Sequence, residues 1–354
     1  MSEGSSGPSS PAARNRALDG RAAASESRSM PASEAQAARA VVMIRPAHFA
    51  ANPETAASNR FQATSDAARA GTDDAGIAAA ALAEFDALAE ALARAGIRVH
   101  VLPGRAELVC PDEVFPNNWF STHADGTLVR YPMHAPNRRL ERRDDVVETL
   151  RGLGYSVRSI VDLTGLEAQG LYLEGTGSLV LDRAARVAFA CASARTSPDA
   201  VRMFCGRLGY EPVLFDALDR DGHPIYHTNV MMSVGTGFAL VCADAIRDSD
   251  ARARVLGTLR DVGKRVIEIG YRELHAFAGN LLELRGRDGP VIALSRRAAD
   301  SLSGAQRAAL AEHGALVPVA VDTIETYGGG SVRCMLAEIH LPARADDAHE
   351  LHAT

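Results

Sequence analysis

A closed ring of five α/β modules is the architecture the 354-residue sequence predicts. The first observation is a polar residue beside a short apolar strand that recurs five times: Asn118 in FPNNW, Glu174 in YLEGTG, Asn229 in HTNVM, Asn280 in AGNLL and Cys334 in VRCML. The second is its spacing, with intervals of 56, 55, 51 and 54 residues. The third is a downstream apolar strand in each of the first four units, read at Gly126-Thr-Leu-Val, Gly177-Ser-Leu-Val-Leu, Gly237-Phe-Ala-Leu-Val and Pro290-Val-Ile-Ala-Leu, with a helical pattern after it. A fixed period of this length marks a repeat architecture. Closing five such units on one axis brings the special positions to a common centre and sets the last unit beside the first. A cysteine near the C-terminus can then share a site with residues from the middle of the chain.

The elements follow in order. Residues 1–40 are rich in Ala, Ser, Gly and Arg and almost free of large apolar side chains. Such a segment cannot bury a core, so a disordered tail is expected there. Val41-Val42-Met43-Ile44 is a strand, stopped by Pro46. Gly76 to Gly96 reads as an amphipathic helix with Ile77, Leu82, Phe85, Leu88 and Leu92 on its apolar stripe and Gly96 just past its end. Val99-His100-Val101-Leu102 is the next strand, and Ser197-Pro198 opens a later helix with serine at the cap and proline in the first turn. One catalytic domain is expected over 41–345, with a short tail at 346–354.

Composition narrows the function classes. Apolar residues make up 47% and charged residues 23%, as in an ordinary soluble domain. A net charge of -6 and a pI near 6.0 argue against a phosphate-binding surface, so no nucleic-acid partner is expected. No apolar run approaches the roughly 20 residues of a membrane helix. The five cysteines, at 110, 191, 205, 242 and 334, contain no CxxC and suggest neither a zinc knuckle nor a disulfide framework. The N-terminal segment lacks a signal-peptide apolar stretch, and Glu3, Asp19, Glu26 and Glu34 argue against a transit peptide. A reducing cytoplasm fits this set. Metals and cofactors are not expected, since no His/Cys/Asp cluster has zinc spacing. A homo-oligomer is allowed for.

Cys334 needs a base to act as a nucleophile, and His227 in Tyr226-His227-Thr228-Asn229 is the leading candidate; His123, His134 and His275 read as structural. Glu174 stands among apolar residues, where a carboxylate is costly unless paired. A free thiol titrates at about 8.5, so a neighbouring positive charge such as His227 or Arg333 is expected to assist the thiolate.

The motifs FPNNW, YLEGTG, YHTN and GGGSVRC, in this order over about residues 41 to 342, resemble the guanidine-modifying, amidinotransferase-type superfamily of pentein enzymes. The branch they are most similar to is that of the citrulline-utilisation hydrolases; arginine deiminases and dimethylargininases are relatives. The resemblance implies a five-bladed α/β propeller of ββαβ modules. It implies Cys334 as nucleophile, His227 as general acid/base and Glu174 as the carboxylate that grips the substrate. By the same resemblance Arg195 holds the substrate carboxylate, with Arg139 as the second such arginine ahead of its neighbour Arg138. Asn118 and Asn229 fall where deiminases carry Asp, and both are read as substrate-binding.

Both departures remove a negative charge. A guanidinium is a cation that carboxylates bind through charge-assisted bonds. A ureido group is neutral, and an Asn can both donate to its carbonyl and accept from its N–H groups. The expected function is therefore a cysteine-dependent, cofactor-free hydrolase that takes citrulline to ornithine, ammonia and carbon dioxide. The alternatives are an arginine or dimethylarginine hydrolase, an amidinotransferase, and a non-catalytic pentein module that binds a macromolecule.

Overall fold

The computed structural model describes Met1, residues 34–62 and residues 73–344. Within them lie five three-stranded sheets of one design. The first two strands pair antiparallel and the third lies parallel to the second, which is therefore central. Four modules run in sequence: β3 (Phe120–Thr122), β4 (Thr127–Arg130) and β5 (Ser159–Asp162); β6 (Val180–Asp182), β7 (Val187–Cys191) and β8 (Glu211–Phe215); β9 (Met232–Val234), β10 (Phe238–Val241) and β11 (Arg265–Glu268); β12 (Leu282–Arg285), β13 (Pro290–Ser295) and β14 (Ala315–Val319). A parallel pair needs a crossover, and a helix supplies it in each module, for example Pro198–Leu208 between β7 and β8.

The fifth module is made from both ends of the chain. β15 (Ala337–Ile339) pairs antiparallel with β1 (Ala40–Arg45), setting Val41 against Glu338, while β2 (Arg98–Pro103) runs parallel to β1 with Val41 beside Val99. This closure places the C-terminal cysteine next to the other modules. Contacts of β15 with β3, β6 with β9 and β9 with β12 put the first strands of the modules innermost.

The long helix spans Asp74–Arg94, with the Asp73 carboxylate accepting from the Gly76 N–H at its start. Its buried stripe is Ile77, Ala81, Phe85, Leu88 and Leu92. Leu82, expected on that stripe, is only half-buried, because a helical period places its smaller neighbour Ala81 four residues before Phe85. Ser197 precedes Pro198 as expected, but its hydroxyl accepts from the Tyr172 N–H at 2.9 Å instead of capping the helix.

Two further expectations are corrected. In the second module Gly177-Ser-Leu-Val-Leu leads into β6, the first strand, and not the second. The turn between β6 and β7 carries Arg186 in the left-handed region, φ 59°, so no glycine marked it in the sequence. The last residues of the segment read as a tail, 34–40, are described and packed against the modules. Residues 2–33 and 345–354 lie outside the described residues, but Glu34 is buried, with one carboxylate oxygen 2.8 Å from Arg183 Nη1 and the other 3.2 Å from Arg186 Nη1. Gln36 donates to the carbonyls of Leu181 and Val234. A short polar segment is ordered here because buried arginines and open strand ends wait for it, a reason its own composition does not disclose.

Candidate active site

The five repeat positions all lie just ahead of the first strand of their module, and all are buried: Asn118, Glu174, Asn229, Asn280 and Cys334 are at most 3% exposed. Short helical turns carry four of them. Asn118 ends the turn Pro116–Asn118, Glu174 precedes Gly175–Ser178, Asn229 lies in Thr228–Met231 and Cys334 in Val332–Met335. Gly177 lets two of these turns meet. A Cβ there would stand 2.5 Å from Asn118 Nδ2 and 2.7 Å from His227 Nδ1. Gly177→Ala is therefore expected to lower turnover of any substrate at least about 100-fold, since a displacement near 1 Å in a catalytic group has that size of effect. Wild-type kcat/KM in the variant would contradict the placement.

His227 Nε2 lies 2.9 Å from Glu174 Oε2. A carboxylate only accepts, so Nε2 carries the hydrogen and Nδ1 is the basic nitrogen. Burial, against the pull of Glu174, lowers the His227 pKa to about 4. Glu174 is also desolvated, but Arg195, His227 and Arg138 outweigh this and hold its carboxyl well below the usual range. Its other oxygen accepts from the His134 N–H at 3.0 Å. At neutral pH the pair is thus a neutral imidazole on a carboxylate.

The sign of the acid response follows from that imidazole. His227 titrates near 6.5 when unfolded and near 4 when folded, so below 6.5 the unfolded chain binds the extra proton. Stability present above pH 6.5 is lost as pH falls toward 4. Between pH 7.5 and 5 this one group is expected to remove ~2 kcal/mol. Urea midpoints at the two pH values should show a smaller acid loss in His227→Gln than in the wild type; equal losses would refute the assignment.

Arg195 stacks over Tyr226 at 4.9 Å, stands 3.6 Å from Glu174, and donates to the Ser58 hydroxyl and the Thr55 carbonyl. The second guanidinium is that of Arg138, not Arg139. Arg138 is buried, forks onto Glu141 at 2.8 and 2.9 Å, donates to Asn118 Oδ1 at 2.9 Å and lies 3.6 Å from both Asp112 and Glu174. Arg139 turns outward to the carbonyls of Met133 and His134 and to Glu167. The two follow one another in a 3-10 turn, which sends adjacent side chains to different faces.

Arg333 also differs from expectation. Its guanidinium is 2.7 Å from Glu338 and donates to the Leu336 carbonyl, so its charge is already matched. The Cys334 sulfur instead meets two side-chain amides, Asn280 Nδ2 at 3.2 Å and Asn229 Nδ2 at 3.5 Å.

The pocket over the thiol is lined by Asp112, Phe115, Asn118, Arg138, Arg195, Tyr226, His227 and Cys334 together with Asn59 and Gly328 to Gly330. Gly329 adopts φ +62° and caps the helix Asp322–Gly328; its Cα would carry a Cβ 2.4 Å from Asn59 Nδ2. The glycine run therefore lets the segment around Asn59 close on the thiol. Asn118 Nδ2 and Asp112 Oδ1 are buried here without a protein partner. Sequence reasoning missed Asp112, Asn59, Gly177 and the contact of Asn280. Asn280 carried a signal in its place in the repeat and Gly177 in the YLEGTG motif, whereas Asp112 and Asn59 carried none. Elsewhere, Asp219, Asp221 and His223 bring ligand atoms within 4.8 Å of one another on a partly exposed turn.

Five three-stranded modules with their polar positions brought together match the pentein fold, and the family match places the chain among the guanidine-modifying hydrolases. A family model described as N,N dimethylarginine dimethylhydrolase, eukaryotic, matches residues 45–341, and the chain belongs to that family. Among solved structures, apo ArgZ, an arginine dihydrolase from the ornithine–ammonia cycle in cyanobacteria, matches with a TM-score of 0.66 at 17% identity over 87% of this chain and 41% of that one. The substrate-bound N-terminal domain of ArgZ matches at 0.64 and 17% over 84% and 97% of the two chains. A dimethylarginine dimethylaminohydrolase in adduct with S-methyl-L-thiocitrulline matches at 0.59 and 16% over 85% and 100%. This chain spans less than half of the full-length ArgZ chain and nearly all of its N-terminal domain. At these identities the likeness is one of fold. No curated protein matches the chain in sequence. Among the described residues, no helix is long and apolar enough to cross a membrane.

Proposed function

We propose that the protein hydrolyses the ureido group of citrulline through a covalent intermediate on Cys334. The observation that carries this reading is the charge state of the inner pocket. Three neutral amides, Asn118, Asn229 and Asn280, stand at the reacting end, and the carboxylate beside His227, Glu174, is already engaged by His227, Arg138 and Arg195. Among the described residues that line the pocket, Asp112 offers the one unpartnered carboxylate oxygen, which the α-ammonium takes, and the unpartnered Asn118 N–H suits a carbonyl oxygen. Arg195 and Arg138, which line the same pocket, take the α-carboxylate and Asp112 takes the α-ammonium.

In the reaction, His227 Nδ1 accepts the thiol proton as the sulfur adds to the ureido carbon. The adduct collapses as His227 returns that proton to the departing ammonia. A water then gives its proton to His227 and its oxygen to the carbon, which breaks the carbon–sulfur bond. The released carbamate of ornithine loses carbon dioxide. No step requires a cofactor, and none requires a second substrate.

A second reading is arginine dihydrolysis, favoured by the fold neighbours that carry that description. There the same thiol would act twice, and citrulline would be the intermediate. Incubating the protein with citrulline, arginine and dimethylarginine separates these readings. Ornithine from citrulline supports the first, and ornithine with two ammonia from arginine supports the second. Dimethylamine from dimethylarginine, with no ornithine from either other substrate, would overturn both.

A further inference from the structure

Asn280 comes from the one module for which the motifs of the superfamily supplied no residue. We propose that Asn280 is a further catalytic residue, which stabilises the Cys334 thiolate as His227 takes its proton, by donating a side-chain N–H to the sulfur. The proposal rests on Cys334 being the nucleophile and adds a source for its activation.

The orientation of the amide is fixed by its surroundings. Asn280 Nδ2 lies 3.0 Å from the main-chain carbonyl oxygen of Asn229 and 3.2 Å from Cys334 Sγ. A carbonyl oxygen only accepts, so the atom facing it must be the NH2 group. One hydrogen serves the carbonyl, and the other is directed at the sulfur. Flipping the amide would set Oδ1 against the carbonyl oxygen, two acceptors in contact. Oδ1 itself is buried without a protein partner, so the residue is not placed there to satisfy its own polar atoms.

The usual sources of thiolate stabilisation are weak here. Arg333, adjacent in sequence, is matched by Glu338 at 2.7 Å. His227 is a neutral imidazole facing Glu174. Donors to the charged form remain, and among the described residues the side-chain N–H groups of Asn280 and Asn229 are the two that reach the sulfur. Neutral amides suit the proposed chemistry, because they favour the thiolate without adding a permanent cation next to the substrate. Asn280 also ties the Thr228–Met231 turn to the turn that carries Cys334, so one side chain sets both the position and the charge of the nucleophile.

The test reads the thiol directly and needs no substrate. Alkylation of Cys334 by iodoacetamide, followed on its peptide by mass spectrometry, is measured at pH 7 and pH 10 in wild type, Asn280→Ala and Asn280→Ser. A hydrogen bond to a charged group corresponds to about one to two powers of ten. The Ala variant is expected to react roughly 10- to 100-fold more slowly at pH 7 and to approach the wild type at pH 10. Serine, with one hydrogen to divide between carbonyl and sulfur, should fall between them. A purely structural role would expose the thiol and raise its rate at both pH values, which would overturn the proposal. Loss of the native circular dichroism spectrum in both variants would likewise mark Asn280 as structural. The outcome is separable from the functional reading: a Cys334→Ala protein without turnover, beside an Asn280→Ala protein alkylated at the wild-type rate, removes only the role of Asn280.

Discussion

Cys334→Ala is expected to abolish turnover, by ~10⁴-fold or more, because removing the nucleophile from a covalent mechanism leaves only binding and orientation. The fold should survive. The change deletes one sulfur at the pocket and leaves the Asn229 and Asn280 amides short of an acceptor, a cost of about 1–3 kcal/mol per unmatched group. That shifts a melting temperature by several degrees without unfolding a chain of this size. In the wild type, iodoacetamide near pH 8 should label Cys334 ahead of the other four cysteines, and substrate should slow it. Burial pushes Cys110 and Cys242 up to about 11 and Cys191 and Cys205 up to about 12. At pH 8 about one in a thousand of such thiols, or fewer, is ionised. Uniform labelling of all five, or activity of the alanine variant near that of wild type, would remove Cys334 from the centre of the mechanism.

The ring was legible because each module must bury one face of a small sheet against a helix, and this imposes the same apolar spacing five times. The residues that cluster at its mouth were legible for the same reason. Asn118, Glu174, Asn229, Asn280 and Cys334 hold equivalent places in the repeat, and symmetry brings them together. What the sequence hid depends on single rotations and on long-range pairing. Arg138 and Arg139 are equal as letters, and only the geometry of a short turn directs one inward to Asn118 and the other out to Glu167. Arg333 looked like a cation beside the thiol until Glu338, five residues on, matched it. Asp112 and Asn59 lie in irregular segments with no period, and they reach the pocket through loop packing that leaves no trace in spacing. Glu34 lay in a stretch whose composition spoke of disorder, while its partner Arg183 stands 149 residues away.

Asn118→Asp is expected to reverse the charge preference of the pocket. Asn118 Oδ1 accepts from Arg138 Nη1 at 2.9 Å, and an aspartate oxygen can keep that bond. The change therefore acts at the other atom, where an unpartnered N–H donor becomes an anionic acceptor close to His227. A ureido carbonyl would then face a carboxylate instead of a donor. One unmatched buried charge costs about 3–5 kcal/mol, part of which Arg138 offsets here. At about 1.4 kcal/mol per decade, a loss of roughly 10²-fold in kcat/KM for citrulline is expected. A guanidinium would gain the partner that citrulline loses, so arginine should suffer less or improve. Asn229→Asp is the poorer probe, because its new carboxylate would sit 3.5 Å from the Cys334 sulfur and oppose the thiolate whatever the substrate. The ratio of kcat/KM for arginine over citrulline, compared between Asn118→Asp and the wild type, isolates the head-group term from any general loss of activity. A rise of tenfold or more supports the amide pocket as the device that selects a neutral head group. An unchanged ratio would mean that Asn118 does not read the charge of the substrate, and the preference for citrulline would have to come from elsewhere in the site.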